Sequence, residues 1–432
     1  MPMNQHVNRR AFVLGCAACG LTCASAATKS NFFDSDVSSG VDKIGSRLSP
    51  WVPGQLDIHH ISTGRGNATF IALPDASTLL IDAGAINAGL ETSFSPRPDG
   101  SRRPGQWVAR YVQRRLLEMK RTQLDYLLVS HFHPDHIGDV GDFNPISSGG
   151  QYHLTGVSDV AAAIHIDKVI DRAFPNYDYP QTWKTRWAEN YFSFIKERSR
   201  NNLSVEKIQV GQYDQIHPVG LYKEFANYQI RNLAANGMVW SGIDSQYTKL
   251  FPPLETLKLE DYPTENQSSI AIKLCYGPFS YFTGGDLTSY TQDGALPWQD
   301  VLGAVSKVAG PVTVSTVDHH GMFDSLSAQV VRDLKPSTWV IPTWHISHPD
   351  TLQLERILSL RLYSGARDIF ATSVMRENLL ANQRLISKLQ STDGHVVVRV
   401  FEQGLSYSTV VTSNENELDT VKLVRGPKQV IN

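Results

Sequence analysis

Residues 127–139 read LLVSHFHPDHIGD and place three histidines and an aspartate within six positions. The apolar, strand-like run that opens this stretch ends just before these polar residues. His131 and His133 are two residues apart, so at strand spacing both imidazoles point the same way and can reach one cation. Asp135 and His136 follow a proline that turns the chain, so they can reach a second cation nearby. Because zinc prefers imidazole and carboxylate ligands, with manganese or iron as alternatives, the stretch predicts a metal site.

Three further segments place acidic or histidine residues where an apolar run ends. The sequence TLLIDAG holds Asp82, SYFTGGDL holds Asp286, and TVDHHG holds His319 and His320. Adjacent residues of an extended chain point in opposite directions, so only one of the two neighbouring histidines is expected to bind a metal.

The HxHxDH motif and these segments, in this order, resemble the signature of the metallo-β-lactamase superfamily of binuclear metal hydrolases. Within it, the sequence is most similar to the domain of bacterial DNA-uptake (competence) channel proteins and their soluble relatives, which share LIDAG, an N-x-S segment, a GD pair and HHG. The N-x-S segment here begins at Asn266, and a further histidine–proline pair of the family matches His348 and Pro349. The sequence departs from the family at Ser62 and Asn67, where the relatives carry acidic residues.

The resemblance implies a role for each candidate site residue. Two divalent cations, Zn²⁺ first and Mn²⁺ or Fe as alternatives, would be held by His131, His133, Asp135, His136, Asp286 and His320. Catalytic roles would fall to Asp135, His319 and His348, and Asp82 would orient the metal loop through hydrogen bonds. The sequence leaves open whether His153, His320 or His348 completes each metal shell.

The order of predicted elements indicates an α/β fold with two β-rich halves, each with alternating helices. Two sheets packed face to face with helices outside give a four-layer αββα sandwich, which the resemblance also implies. An inserted helical and loop segment is expected to form a lid or a substrate wall beside the metal mouth. The expected divisions are a signal peptide at 1–27, a polar linker at 28–53, a hydrolase domain at 54–415 with the insertion at about 172–265, and a C-terminal tail at 416–432.

The implied chemistry is hydrolysis by a metal-bound hydroxide, because two bridged cations lower the pKa of a shared water towards neutrality. A phosphodiester is the expected substrate. The alternatives are a lactam, lactone or other ester, or a non-catalytic metal-binding scaffold with the same fold. With 40 Lys+Arg against 42 Asp+Glu, the net charge of -2 gives no overall basicity that would indicate nucleic acid, and a local basic groove stays open. The sequence does not predict the oligomeric state.

The N-terminus predicts export. Residues 8–14 read NRRAFVL, which resembles a twin-arginine motif, and an Ala-Ser-Ala cleavage site ends at Ala26. We therefore expect a periplasmic or secreted protein whose mature chain has no membrane-spanning segment, since no later run is long and apolar enough. Three of the four cysteines lie inside this signal, so the mature chain would keep only Cys275 and could form no internal disulfide.

Overall fold

The structure is a computed structural model, and it describes residues 42–87 and 91–430. The predicted signal peptide at 1–27 lies outside the described residues. None of the helices in the described part of the chain is long and apolar enough to cross a membrane.

The described residues form strands and helices that alternate along most of the chain. The strands are β1 (Leu56–His60), β2 (Thr69–Ala72), β3 (Thr78–Ile81), β4 (Gln123–Leu128), β5 (His165–Asp171), β6 (Ser204–Lys207), β7 (Tyr228–Ala235), β8 (Met238–Trp240), β9 (Tyr247–Lys249), β10 (Ala271–Tyr276), β11 (Phe279–Thr283), β12 (Val314–Thr316), β13 (Thr338–Ile341), β14 (Asp368–Ala371), β15 (His395–Phe401), β16 (Ser406–Thr412) and β17 (Val421–Gln429). The helices are α1 (Pro104–Glu118), α2 (Pro134–Ile137), α3 (Val157–Ala163), α4 (Arg186–Arg200), α5 (Val301–Ala309), α6 (Ala328–Leu334), α7 (Thr351–Leu358), α8 (Arg376–Ala381) and α9 (Gln383–Ile386).

The strands form two large sheets. The first has the order β17-β16-β15-β1-β2-β3-β4-β5-β6, and the second has the order β14-β13-β12-β11-β10-β7-β8-β9. In the first sheet β3 to β6 run parallel, and in the second β11 to β14 run parallel. Parallel neighbours end at the same edge of a sheet, so each sheet gathers several strand ends at one edge.

The two sheets pack face to face, and helices cover their outer faces. Tyr281 of β11 lies 5.9 Å from His60 of β1 between ring centroids, and the hydroxyl of Tyr407 on β16 lies 3.0 Å from that of Thr338 on β13. Apolar residues of α1, α3 and α4 pack on the first sheet, and those of α5, α6 and α7 pack on the second. This confirms the predicted αββα sandwich.

The segment at 172–265 differs from the predicted lid. Its helix α4 buries Tyr191 and Phe194 against the first sheet, where β6 also pairs with β5. Its strand β7 pairs along β10 and so carries β8 and β9 into the second sheet. The strands of this segment form their backbone hydrogen bonds within the two sheets. The segment is therefore part of both sheets of the sandwich.

The predicted C-terminal tail and linker also contribute to the sandwich. Strand β17 lies at the edge of the first sheet, paired with β16, so part of the segment that the sequence predicts as a C-terminal tail from residue 416 forms a strand of the sheet. Glu417 and Asp419, just before β17, form ion pairs with Arg110, Arg114 and Arg115 of α1. In the predicted linker, Asp42 pairs with the buried Arg399 and Trp51 is buried, so the end of this segment packs on the domain.

Candidate metal centre

The candidate site lies where the parallel strands of both sheets end. In the first sheet, β3 leads into Asp82 and β4 leads into the loop that carries His131 and His133. In the second sheet, β11 leads into Asp286 and β12 leads into His320.

Two glycines allow the loops at this edge to approach one another. A Cβ on Gly84 would lie 1.8 Å from the carbonyl oxygen of Asp135, and Gly285 has a φ of 59° with a Cβ position 3.0 Å from Ser130 Cβ. Neither position tolerates a side chain without moving a neighbour. The loops that carry the predicted site residues can therefore pack closely because Gly84 and Gly285 have no side chains.

The first group of donor atoms comprises His131, His133 and Asp286. His131 Nε2 lies 3.2 Å from His133 Nδ1 and 3.6 Å from Asp286 Oδ2. Both His131 and Asp286 are buried and His133 is partly exposed, so the group opens on the His133 side.

The second group comprises Asp135, His136, Asp286 and His320, all buried. His136 Nε2 lies 3.3 Å from His320 Nε2 and 3.2 Å from Asp286 Oδ1. His320 Nε2 also lies 2.9 Å from Asp135 Oδ2. Asp286 thus faces the second group with one oxygen and the first group with the other.

The donor atoms fit divalent cations in type and in spacing. Tetrahedral zinc binds imidazole nitrogen at about 2.0–2.1 Å, so two such ligands lie about 3.3–3.4 Å apart. The separation of 3.3 Å between the Nε2 atoms of His136 and His320 and that of 3.2 Å between His131 Nε2 and His133 Nδ1 match this spacing. The buried histidine–aspartate cluster can therefore bind metal ions.

The carboxylates of the second group favour the protonated form of its histidines. Burial lowers the pKa of His320, but the nearby carboxylates of Asp286 and Asp135 outweigh this and raise its pKa to about 10. Burial and the same two carboxylates act in the same way on His136, and its pKa lies well above the ordinary value. Burial lowers the pKa of His131, and the neighbouring His136 lowers it further.

Asp82 has the orienting position that the sequence predicts for it. One oxygen accepts the backbone N–H of Ser130 at 2.7 Å, and the other accepts the Ser130 hydroxyl at 2.7 Å. The second oxygen also lies 2.7 Å from His136 Nδ1, which turns the Nε2 atom of that ring towards the donor group. The departure at Asn67 suits this arrangement, since its amide donates to Asp82 at 3.4 Å where an acidic residue would repel it.

The two adjacent histidines of HHG both lie close to Asp286, because the backbone at these residues is not extended. His319 has a φ of 46° and His320 a φ of 53°, so both are left-handed and the alternation of an extended strand does not apply. His320 belongs to the second group, and its Nδ1 lies 2.7 Å from the Pro342 carbonyl oxygen. His319 Nε2 lies 3.9 Å from Asp286 Oδ2, the oxygen that faces the first group.

His319 is held by two polar neighbours. Its Nδ1 lies 2.7 Å from Asp324 Oδ1, and its Nε2 lies 3.1 Å from the side-chain nitrogen of Asn266. The N-x-S and HHG segments, which are 53 residues apart in the chain at these two positions, are thereby brought into contact.

His348 and His153 lie outside both donor groups of the described residues. The His348 ring stacks on His320 with centroids 4.8 Å apart and planes 9° from parallel. His153 Nδ1 lies 2.8 Å from the Asn144 carbonyl oxygen, in the loop after α2. A catalytic role for His348 and a metal-shell role for either histidine stay predictions.

Sequence reasoning missed three residues that support the site. Trp344 donates its indole N–H to Asp135 Oδ2 at 3.2 Å. Glu265 accepts the backbone N–H of Phe132 at 2.8 Å, and Arg172 pairs with Glu265 while buried. The available signals were the positions of Arg172, directly after β5, and of Glu265, directly before the N-x-S segment. Charged residues are rarely buried unless they are paired.

Comparison with known proteins finds a family model that resembles part of the chain. The model of the metallo-beta-lactamase superfamily matches residues 61–155, which include Asp82 and the whole histidine motif. The match covers less than half of the chain, and the αββα sandwich and the histidine–aspartate cluster at the sheet edge agree with it.

Solved structures resemble the chain at low sequence identity. The metallo-beta-lactamase fold protein YhfI from Bacillus subtilis is 13% identical, with 81% of this chain and 98% of that chain covered and a TM-score of 0.32. The short form of human tRNase Z (ELAC1) is 10% identical, with 66% of this chain and 91% of that chain covered and a TM-score of 0.27. A comparison with curated proteins gives no match.

Proposed function

We propose that the protein is a binuclear metal-dependent hydrolase that acts on a phosphodiester. The observation that carries this proposal is the position of Asp286 between two groups of donors. Its Oδ1 lies 3.2 Å from His136 Nε2, and its Oδ2 lies 3.6 Å from His131 Nε2. A carboxylate that faces two sets of imidazoles suits a pair of cations better than a single one.

Each donor group would hold one cation. His131, His133 and Asp286 would hold the first, and Asp135, His136, Asp286 and His320 would hold the second. When bound, two divalent cations lower the pKa of water and polarise the bond that is attacked, so no serine or cysteine nucleophile is required.

The protein's own residues fix the orientation of these ligands. The Asp82 carboxylate and the Pro342 carbonyl oxygen lie 2.7 Å from the Nδ1 atoms of His136 and His320, which leaves both Nε2 atoms facing the second group. The Trp344 indole holds Asp135 Oδ2 in the same group. We assign to Asp135 the role of a ligand, and its further catalytic role stays a prediction.

The phosphodiester is supported by the contact between the two family segments. The Asn266 side-chain nitrogen of N-x-S lies 3.1 Å from His319 Nε2 of HHG beside Asp286, and its second N–H can donate a hydrogen bond to a substrate oxygen. His319 is 17% exposed, so substrate can reach it, whereas His320 is only 2% exposed. We therefore assign substrate contact to His319 and metal binding to His320.

Hydrolysis of bis(p-nitrophenyl) phosphate before and after chelation tests this proposal. We expect turnover that a chelator abolishes and that added Zn²⁺ or Mn²⁺ restores. Asp286→Asn, purified in parallel, should be inactive and thereby excludes a contaminating phosphodiesterase. An enzyme that ignores this substrate but cleaves a lactam, a lactone or a simple ester would overturn the phosphodiester assignment. A metal-loaded protein that is inert on all of them would favour a non-catalytic scaffold.

We also propose that the chain is exported through a twin-arginine signal. The sequence NRRAFVL at residues 8–14 and the alanine-rich cleavage site that follows support this. Fractionation of cells that express the wild-type chain should find the shortened protein outside the cytoplasm. The double substitution Arg9→Lys and Arg10→Lys should retain the full-length protein inside. Equal distribution of the two proteins would contradict the proposal.

A further inference from the structure

A buried ion pair lies directly behind the first donor group. Arg172 and Glu265 have side chains that are each 1% exposed, and Arg172 Nε donates to Glu265 Oε1 at 2.8 Å. Burying two charges costs desolvation free energy even when they are paired and hydrogen-bonded, and apolar side chains at these positions would avoid that cost.

The Arg172–Glu265 pair contacts Phe132, the residue between His131 and His133. Glu265 Oε1 accepts the backbone N–H of Phe132 at 2.8 Å, and the guanidinium of Arg172 lies over the Phe132 ring, 4.5 Å from its centroid. The ring also packs on Tyr191, 5.2 Å between centroids. Phe132 is therefore held through both its backbone and its side chain.

Holding Phe132 constrains its neighbours in the chain. The rings of His131 and His133 lie together, 4.9 Å between centroids, so a fixed Phe132 between them in the chain constrains the backbone of both. Asp286 lies beside these rings, and His131 Nε2 lies 3.6 Å from its Oδ2.

The same pair joins the two sheets at the mouth of the site. Arg172 follows β5 of the first sheet, whereas Asn236 follows β7 of the second, and Arg172 Nη1 donates to Asn236 Oδ1 at 2.9 Å. Asn236 in turn donates from its side chain to the Arg172 carbonyl oxygen at 2.6 Å. Glu265 directly precedes Asn266, which contacts His319 at 3.1 Å.

We infer that Arg172 and Glu265 are positioning residues for the first cation, acting through Phe132 on His131 and His133. This inference rests on the proposed binuclear function. Partners that orient metal ligands typically change metal affinity by about 10–100-fold when they are removed. The second group has its own supports in Asp82 and Pro342 and should not depend on this pair.

Glu265→Gln tests the inference in two backgrounds, each of which retains one group. His320→Ala leaves the first group as the intact site, and His133→Ala leaves the second. Zn²⁺ affinity, measured by competition with a chromophoric chelator, should fall about 10–100-fold on adding Glu265→Gln to His320→Ala. It should be unchanged on adding Glu265→Gln to His133→Ala.

Asp57→Asn is the matched control. Asp57 pairs with Arg399, and these side chains are 1% and 2% exposed, but the pair lies between β1 and β15 and contacts no donor residue. Breaking it should lower stability and leave both Zn²⁺ affinities unchanged. The Co²⁺ visible spectrum gives a second readout, because a displaced imidazole changes the ligand field whereas general destabilisation does not.

The outcomes separate the two proposals. A wild-type protein that fails to bind two equivalents of Zn²⁺ overturns the binuclear function itself. Equal loss of affinity in both backgrounds, no loss in either, or the same loss with Asp57→Asn overturns the positioning role while the function stands. If Glu265→Gln does not fold, the double variant Glu265→Gln and Arg172→Met should be tested in its place, because it removes both charges. If the double variant does not fold either, the pair has a purely structural role and the positioning role is overturned.

Discussion

The two sheets contribute to the site in different ways. The first sheet supplies four donor residues from one loop, His131 to His136, directly after β4. The second sheet supplies Asp286 and His320 from two loops, after β11 and β12, with His320 held in a left-handed conformation. A contiguous motif can be recognised in the sequence, whereas the separated ligands acquire their role only when the sheet is assembled. The predictions below test whether the two contributions are equally necessary.

The largest effect is expected at the residue that both groups share. Asp286→Asn keeps the side-chain volume but removes the charge that faces both groups of imidazoles. Since bound cations supply several kcal/mol of transition-state stabilisation, we expect a loss of activity of about 10³-fold or more. Phosphodiester turnover and elemental analysis of the purified variant measure this. A variant that retains two cations and most of its activity would show that Asp286 is not shared.

One ligand from each sheet should be equally important to the second cation. His136→Ala and His320→Ala each remove an Nε2 atom from the same group, and these two atoms lie 3.3 Å apart. We expect each variant to lose one equivalent of metal and about 10²-fold or more in activity, since a ligand should matter at least as much as the groups that orient it. Metal content and turnover should be compared in the two variants side by side. Retention of the second cation in only one of them would contradict equal roles.

A smaller effect is expected from the residue that orients the first sheet's loop. In Asp82→Asn the remaining side-chain oxygen can still accept from the Ser130 N–H. The NH₂ group that replaces the second oxygen cannot accept from the Ser130 hydroxyl or from His136. We expect metal affinity at the second group to fall about 10–100-fold.

Asp75→Asn is the matched control for Asp82→Asn. Asp75 is equally buried, at 0% exposure, but it accepts from Ser77 and Tyr228 in a turn. Zn²⁺ titration of both variants should show weakened binding only for Asp82→Asn. Weakened binding in both would indicate that the effect is general destabilisation.

The last prediction concerns the pH dependence of metal binding, and its magnitude is given per pH unit. The raised pKa values of His136 and His320, the latter about 10, mean that both rings carry protons at neutral pH until a cation displaces them. Binding therefore releases protons, and the affinity of the second group should rise with pH by about tenfold per unit for each proton released, up to about pH 10. Calorimetric titration of Zn²⁺ in two buffers of different ionisation enthalpy measures the number of protons. An affinity that stays flat between pH 6 and 8 would contradict this account.

The sequence predicted the locally encoded parts of the molecule well. The helix from Pro104 follows directly from periodicity and appears as predicted, and the two-residue spacing of His131 and His133 brings their rings together. The αββα sandwich followed from the alternation of strands and helices, together with the family resemblance.

The parts that were missed depend on long-range contacts. Segment 172–265 joins both sheets, through β6 paired with β5 and β7 paired with β10, and a single sequence carries no signal for such pairing. Arg172 and Glu265 are 93 residues apart, and Trp344 and Asp135 are 209 apart. Neither contact is encoded by spacing along the chain.

The roles of the HHG histidines depended on backbone conformation. The expectation that only one of His319 and His320 binds a metal assumed that their rings point in opposite directions on an extended chain. The structure has positive φ at both residues and brings both rings towards Asp286. A strained backbone of this kind is set by the surrounding loops, so periodicity could not predict it.

The most direct test of the central claim is the metal content of the purified wild-type protein, measured by elemental analysis after refilling with Zn²⁺ and removal of loosely bound ions. The account predicts two equivalents per chain, falling to one in His320→Ala. One equivalent in the wild-type protein, or none, would contradict a binuclear site shared by Asp286.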